Sequence, residues 1–261
     1  MVKKFIGYDQ IYNVESQSQK FDMIMKYQNY INELTNGFLG TKVEVDRIRD
    51  EDQRLELSIH GEEENFVYNL LKAEISSSRD FYDINVGDIL KGRMVDVGEV
   101  GFGIFVDCAI INPEIDVLLP LHILRDQLAN TKKVSVRKIV GAYNFIDKFT
   151  LFIKISNISP DKKQIEGKIA QKSIDIFKKI VSENIEGLFI SGSTKGQFKK
   201  ALIGKGHLRD IISIERFGFL EHLVLLKGDT EAPGIISEIG RNLEGCKFSA
   251  LRAHRIRKLL K

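Results

Sequence analysis

Two phenylalanines three residues apart, Phe102 and Phe105, are the side chains of this sequence best suited to chemistry, and that chemistry is noncovalent. They lie near the end of the stretch 86–107, VGDILKGRMVDVGEVGFGIFVD, which reads as two β-strands joined by a glycine-rich turn at residues 98–101. Gly103, between the rings, has no Cβ and so lets another group approach the backbone closely. A ring on the face of a β-barrel stacks on a base whatever its identity, so this pair suits single-stranded nucleic acid. Lys91 and Arg93, two apart on the preceding strand at 88–97, are expected near its outer face.

Covalent chemistry has no comparable arrangement. Residues 192–196, GSTKG, carry the residue types of a phosphate-binding loop in the wrong spacing. Gly98, Gly101 and Gly103 miss the dinucleotide-binding pattern and precede a strand, not a helix. The histidines at 60, 122, 207, 222 and 254 are not spaced as metal ligands, and His222 beside Glu221 on a strand faces the opposite way. No nucleophile elbow of the Gly-x-Ser-x-Gly kind occurs. The expectation is a protein without catalytic residues, metal or cofactor.

Bulk properties agree with a soluble globular chain. In 261 residues, 43% are hydrophobic and 29% charged, enough for two or three small cores. No apolar run reaches the length of a membrane span, and the first ten residues turn polar too early for a signal peptide. Cys108 and Cys246 stand far apart without a Cys-x-x-Cys pair, which fits a reducing, cytoplasmic location. The net charge of +3 is unevenly spread: residues 1–85 hold 10 Lys+Arg against 16 Asp+Glu, and residues 161–261 hold 20 against 12. Contact with a polyanion therefore belongs to the second half of the chain.

The elements that must position these residues form three blocks, giving an α+β multidomain chain. Residues 1–80 read as an acidic α+β domain suited to docking or scaffolding, with a strand at 3–12, helices at 21–34 and 62–75, and a hairpin of 42–48 with 54–60. Residues 86–169 carry short strands at 88–97, 102–109 and 116–124 and a hairpin of 149–157 with 164–169, the mark of a small five-stranded barrel. Residues 170–261 read as a basic α+β domain. It has a helix at 170–181 and strands 187–191 and 201–203 around a basic turn holding Lys199 and Lys200. Strands 208–216 and 220–227 follow, then a helix at 231–243. That helix can be capped by Asp229 or Thr230, with Pro233 in its first turn, and its start could also hold a phosphate. A last helix, 247–261, carries Arg255, Arg257 and Lys258, which could neutralise phosphates without regard to sequence.

Val86-Gly87-Asp88, Gly92, Phe102-Gly103-Ile104-Phe105-Val106 and Leu118-Leu119-Pro120-Leu121 together resemble the ribosomal-protein S-one RNA-binding domain, an OB-fold barrel. The resemblance implies that Phe102 and Phe105 stack bases and that Lys162 and Lys163, in the last hairpin turn, hold the backbone. Three features depart from that family: a first turn about two residues longer, Pro120 where many members have histidine, and an apolar segment at 142–149. Residues 208–228 (LRDIISIERFGFLEHLVLLKG), 230–243 (TEAPGIISEIGRNL) and 116–129 (DVLLPLHILRDQLA) resemble an archaeal family known only as a domain of unknown function. That likeness implies a cytosolic archaeal protein with a central barrel and brings no activity.

The expected whole is a central five-stranded OB-fold β-barrel flanked by two small α+β domains. It would bind RNA or other single-stranded nucleic acid without catalysis, in transcription, translation or RNA processing, and away from membranes. The alternative is an adaptor whose barrel and acidic head dock onto a transcription or translation complex.

Overall fold

The computed structural model describes residues 2–261. The chain divides into two compact units, one made of residues up to 78 with 218–220, the other of 79–217 with 221–261. The first unit comprises β1 (Lys3–Gln10), α1 (Gln17–Thr35), β2 (Thr41–Ile48), β3 (Arg54–Gly61) and α2 (Glu64–Glu74). Its sheet is antiparallel in the order β1-β3-β2. Leu55, Leu57 and Ile59 alternate along β3 and therefore share one face. On that face they pack with Met23, Tyr27 and Ile31 of α1, Val67 and Leu71 of α2, and Phe219 and Leu220. Helix α1 starts four residues before the expected position because Ser16 and Gln19 form a capping box.

The second unit begins with β4 (Arg79–Asp80), β5 (Ile89–Val95), β6 (Gly103–Asp107), β7 (Ile110–Ile111), β8 (Val117–Pro120), α3 (Leu121–Leu128), α4 (Val136–Tyr143), β9 (Thr150–Ser159) and β10 (Gln164–Ile169). Five of these strands close a barrel in the order β10-β8-β6-β5-β9, with β8 and β10 parallel and the remaining pairs antiparallel. This is the expected OB barrel within a mixed α+β chain. Its interior is packed tightly enough that a Cβ on Gly92 would lie 2.4 Å from Val106 Cγ1 and 2.8 Å from Cys108 Sγ. The strand expected at 116–124 stops at Pro120, since proline donates no ladder hydrogen bond. Leu121, Leu124 and Leu128 then give α3 its apolar stripe. The apolar segment at 142–149 is not a loose loop: Phe145 and Phe149 join the core, and Phe149 stacks on Phe189 with centroids 4.4 Å apart.

The remainder is α5 (Gln171–Glu183), β11 (Glu186–Ser191), α6 (Lys195–Gly204), β12 (Ile211–Arg216), β13 (Glu221–Leu226), α7 (Ala232–Ile239), β14 (Lys247–Arg252) and α8 (Ala253–Leu260). The strands form an antiparallel sheet in the order β12-β13-β11-β14. One face of the sheet (Phe189, Leu223, Leu225, Leu251) shares a continuous core with the barrel, α4, α5 and α8. The opposite face (Leu188, Ile190, Val224, Leu226) packs on α6 and α7.

Three sequence expectations for this region need correction. Residues 195–204 are a helix, not a basic turn with a strand at 201–203, because Thr194 and Gln197 form a capping box. Residues 247–252 are an edge strand, so the C-terminal helix is shorter than expected. Pro233 does lie in the first turn of α7, but neither Asp229 nor Thr230 caps it. Glu231 holds that position without a side-chain cap, and the Ala232 amide donates instead to Glu186 Oε2 at 2.8 Å. A carboxylate thus occupies the place proposed for a phosphate.

Candidate nucleic-acid interface

Strand β6 alternates Ile104 and Val106 into the barrel, which turns Phe105 outward between Val95 of β5 and Leu118 of β8. Phe102 precedes the strand, and its carbonyl accepts from Leu121 N at 2.8 Å, tying it to the start of α3. The group that needs Gly103 is the protein's own backbone. A Cβ there would stand 2.4 Å from the Leu119 carbonyl oxygen and 2.7 Å from Leu118 Cδ1, so glycine lets β8 pair closely. Phe102 is 57% exposed and Phe105 is half-buried. Their centroids are 6.0 Å apart with an interplanar angle of 88°, so Phe105 braces Phe102 edge-on and leaves ring surface to solvent.

The cations expected around this pair are dispersed. Lys91 is half-buried on β5, opposite Phe152 of β9. Arg93 is not on an exposed face: its side chain is 0% exposed and its Nε donates to Glu221 Oε1 at 2.9 Å, with Nη2 3.4 Å from Oε2. The outer face of β5 is covered here by β13, so Arg93 meets a buried carboxylate and no solvent. Lys162 and Lys163 are exposed in the β9–β10 turn, beside Asp161. Register places that turn near the start of β8, whereas Phe102 lies beyond its end. By register Lys163 is level with residue 115 and Phe102 with residue 121, about six residues, or about 20 Å, apart along the strand direction.

The basic second half does not form one surface either. Lys199 and Lys200 are exposed on α6, whose Phe198 and Leu202 pack on one face of the C-terminal sheet. Helix α8 packs through Ile256 and Leu259 into the core on the opposite face. Arg255 and Lys258 are exposed there, while Arg257 is engaged, donating to Asn184 Oδ1 at 2.6 Å and to the Val181 carbonyl. Sequence reasoning passed over Lys132, Lys133, Arg137 and Lys138, which precede or lie on α4 against α8. The available signal was an acid-free run at residues 127–146.

Two histidines bear on covalent chemistry. His207 lies between carboxylates, Nδ1 2.9 Å from Asp210 Oδ2 and Nε2 3.2 Å from Glu238 Oε2, so both ring nitrogens are occupied in tethering α7. Among the described residues no group of three or more His, Cys, Asp or Glu could hold a metal ion. His222 is buried beneath Phe198, with Nε2 3.0 Å from the Ser193 carbonyl and no hydrogen-bond partner at Nδ1. Nε2 therefore carries the proton and donates. Burial, helped by the nearby Arg216 guanidinium, pushes the His222 pKa down to about 4.

An unfolded histidine takes up its proton near pH 6.5 and the folded one only near 4, so protons favour the unfolded chain between these values. Stability is full above pH 6.5 and falls by about 3 kcal/mol in total as pH drops toward 4. Denaturant midpoints measured across this window should show the loss, and His222→Gln should flatten it. A slope unchanged in that variant would assign the acid sensitivity to other groups.

The fold thus defines a mixed α+β protein with a closed OB barrel bearing an exposed phenylalanine, Phe102, braced by the half-buried Phe105. Within it, residues 186–251, from β11 into β14, match the family described as the DUF2110 C-terminal domain. No curated protein sequence matches the chain. Among solved structures it is similar to the uncharacterized protein MJ1198 of Methanocaldococcus jannaschii, with 16% identity over 34% of this chain and 96% of that one, at a TM-score of 0.24. The K3L protein of vaccinia virus matches at 18% identity over 33% of this chain and 89% of its own, TM-score 0.24. The a/eIF2alpha–aDim2p–rRNA complex of Pyrococcus horikoshii matches at 11% identity over 49% and 70%, TM-score 0.26. Likenesses of this size set no functional precedent for the chain. No helix of the described residues is long and apolar enough to cross a membrane.

Proposed function

We propose that this protein binds single-stranded nucleic acid, RNA foremost, on the outer face of its barrel and performs no reaction on it. The observation that carries the reading is the exposed Phe102 ring braced edge-on by Phe105. Bases stack on such rings without regard to sequence. A strand leaving Phe102 along the barrel reaches Lys162 and Lys163 after about 20 Å, a path suited to the smaller OB-fold sites of about four nucleotides. This behaviour fits a component of transcription, translation or RNA processing.

The test is the affinity of the full chain for a labelled 12-nucleotide single-stranded RNA, read by fluorescence anisotropy. Phe102→Ala and Phe105→Ala should each cost about 1–3 kcal/mol, roughly a 5- to 150-fold loss. Wild-type affinity in both variants, with the circular dichroism spectrum unchanged, would sink the stacking proposal. A second reading, docking of a protein on the barrel, draws on Tyr82, Val86 and Ile89, exposed apolar residues just before and at the start of β5. Binding of RNA that ignores both phenylalanines would turn attention there.

A further inference from the structure

We propose that α4, the loop before it and α8 form a second surface, distinct from the barrel rings, that binds the phosphate backbone of a double-helical nucleic acid. Two segments build it. Residues 127–146 contain four Lys or Arg and no Asp or Glu, and residues 245–261 contain six and none. The fold brings these acid-free runs together: α4 packs against α8, with Val136, Ile139, Ile256 and Leu259 in one core. The loop before α4 reaches the end of α8, Asn130 Nδ2 donating to the Leu260 carbonyl at 2.9 Å and Lys132 Nζ to the Leu259 carbonyl at 3.3 Å. Ser249 Oγ donates to the Asn144 carbonyl at 2.5 Å and pins the other end of α4 to β14.

Some cations in these runs are already used: Lys247 pairs with Asp147, Arg252 with Glu186 and Glu231, and Arg257 with the end of α5. Lys133, Arg137, Lys138, Arg255 and Lys258 are exposed and in no ion pair among the described residues. Buried Val136, Ile139, Ala253, Ile256 and Leu259 leave the cations on the outward sides of both helices. None of the large exposed hydrophobic residues falls in either run. A bilayer or a protein partner would want an exposed apolar anchor, whereas Leu128, Tyr143, Ile256 and Leu260 of these runs line a recess of about 300 Å³ against α5, and unpaired bases would want an exposed aromatic ring. A duplex offers neither bases nor apolar faces outside its grooves, but presents one charge per about 1.7 Å of axis. Helix α8 spans about 12 Å, which matches several such phosphates.

This surface shares with the proposed function only the premise that the ligand is nucleic acid, and its failure is separately readable. The probes are blunt 20-base-pair RNA and DNA duplexes, titrated with the full chain at several sodium chloride concentrations. The variant Lys133→Gln, Arg137→Gln, Arg255→Gln, Lys258→Gln should bind duplex at least tenfold more weakly at about 0.1 M salt. Its slope of log affinity against log salt should be shallower by about 2–4. A matched variant on α6 and the residue that ends it, Lys195→Gln, Lys199→Gln, Lys200→Gln, Lys205→Gln, removes as many charges from the other side of the sheet and should stay within threefold of wild type. Comparing the RNA and DNA losses identifies which duplex the surface prefers. Absence of duplex binding in wild type, an unchanged affinity and slope in the first variant, or an equal loss in the α6 variant would each overturn the proposal. None of these results depends on whether Phe102→Ala weakens single-stranded binding.

Discussion

Replacing Glu221 with alanine will destabilise the second unit by about 3–5 kcal/mol, because it breaks a fully buried ion pair by removing one partner and takes from the Arg93 guanidinium the carboxylate it is bonded to. Arg93 and Glu221 are 0% exposed, 128 residues apart in the chain, and joined through two nitrogens of one guanidinium. The guanidinium does not shed its proton to escape the cost, as a buried lysine or histidine can. Glu221→Gln will be nearly as damaging, since it keeps the volume and loses the charge. The double variant Arg93→Met, Glu221→Leu should recover most of the loss, because apolar side chains of similar volume need no desolvation of ions. Urea midpoints by circular dichroism provide the measurement, the chain having no tryptophan. A Glu221→Ala variant within about 0.5 kcal/mol of wild type, the range of an ordinary surface change, would mean that the pair is solvated in solution. The double variant also examines Arg93 as a nucleic-acid contact: with stability restored, single-stranded RNA affinity should be unchanged.

What the sequence discloses about this protein is what local spacing controls. The barrel was legible because its strands alternate over short distances and because Gly92 and Gly103 mark places where a side chain would collide with a neighbouring strand. Phe102 was legible for the same reason, lying at a strand start after a glycine turn. The fate of Arg93 was not. Period-two alternation puts it on the outer face of β5, but nothing near it in sequence says that β13 covers that face. Charge misled in a related way. Lys195, Lys199 and Lys200 suggested a basic turn, although the Thr194–Gln197 spacing that starts a helix was present. A net charge summed over residues 161–261 cannot show that α6 and α8 lie on opposite faces of one sheet. Nor did it register Lys133 and Arg137, which belong to a different stretch of chain and join α8 only through tertiary packing.

Phe219→Ala will act on the unit built mainly from residues up to 78, although residue 219 belongs in sequence to the β12–β13 connection. The Phe219 ring meets Tyr27 edge-on at 4.8 Å and stacks on Tyr30 at 6.0 Å, and the residue is part of the core formed by α1, α2 and β3. Its amide donates to Asp9 Oδ1 at 3.0 Å, while Tyr27 Oη donates to Asp9 Oδ2 at 3.1 Å, so backbone and ring are held around the same buried carboxylate. Truncating a buried phenylalanine costs about 3–5 kcal/mol, partly through the cavity left behind. Small domains have about 5–15 kcal/mol in all, so the first unit would lose a large part of its margin. Hydrogen exchange should therefore show amides around Tyr27 and Ile31 in α1 losing protection, while those of Ile153 and Ile155 in the barrel keep theirs. Phe219→Leu, which refills most of the space, should show the same pattern more weakly. Equal loss of protection in both units would mean that they unfold as one, and no loss in either would mean that the ring is dispensable to the core.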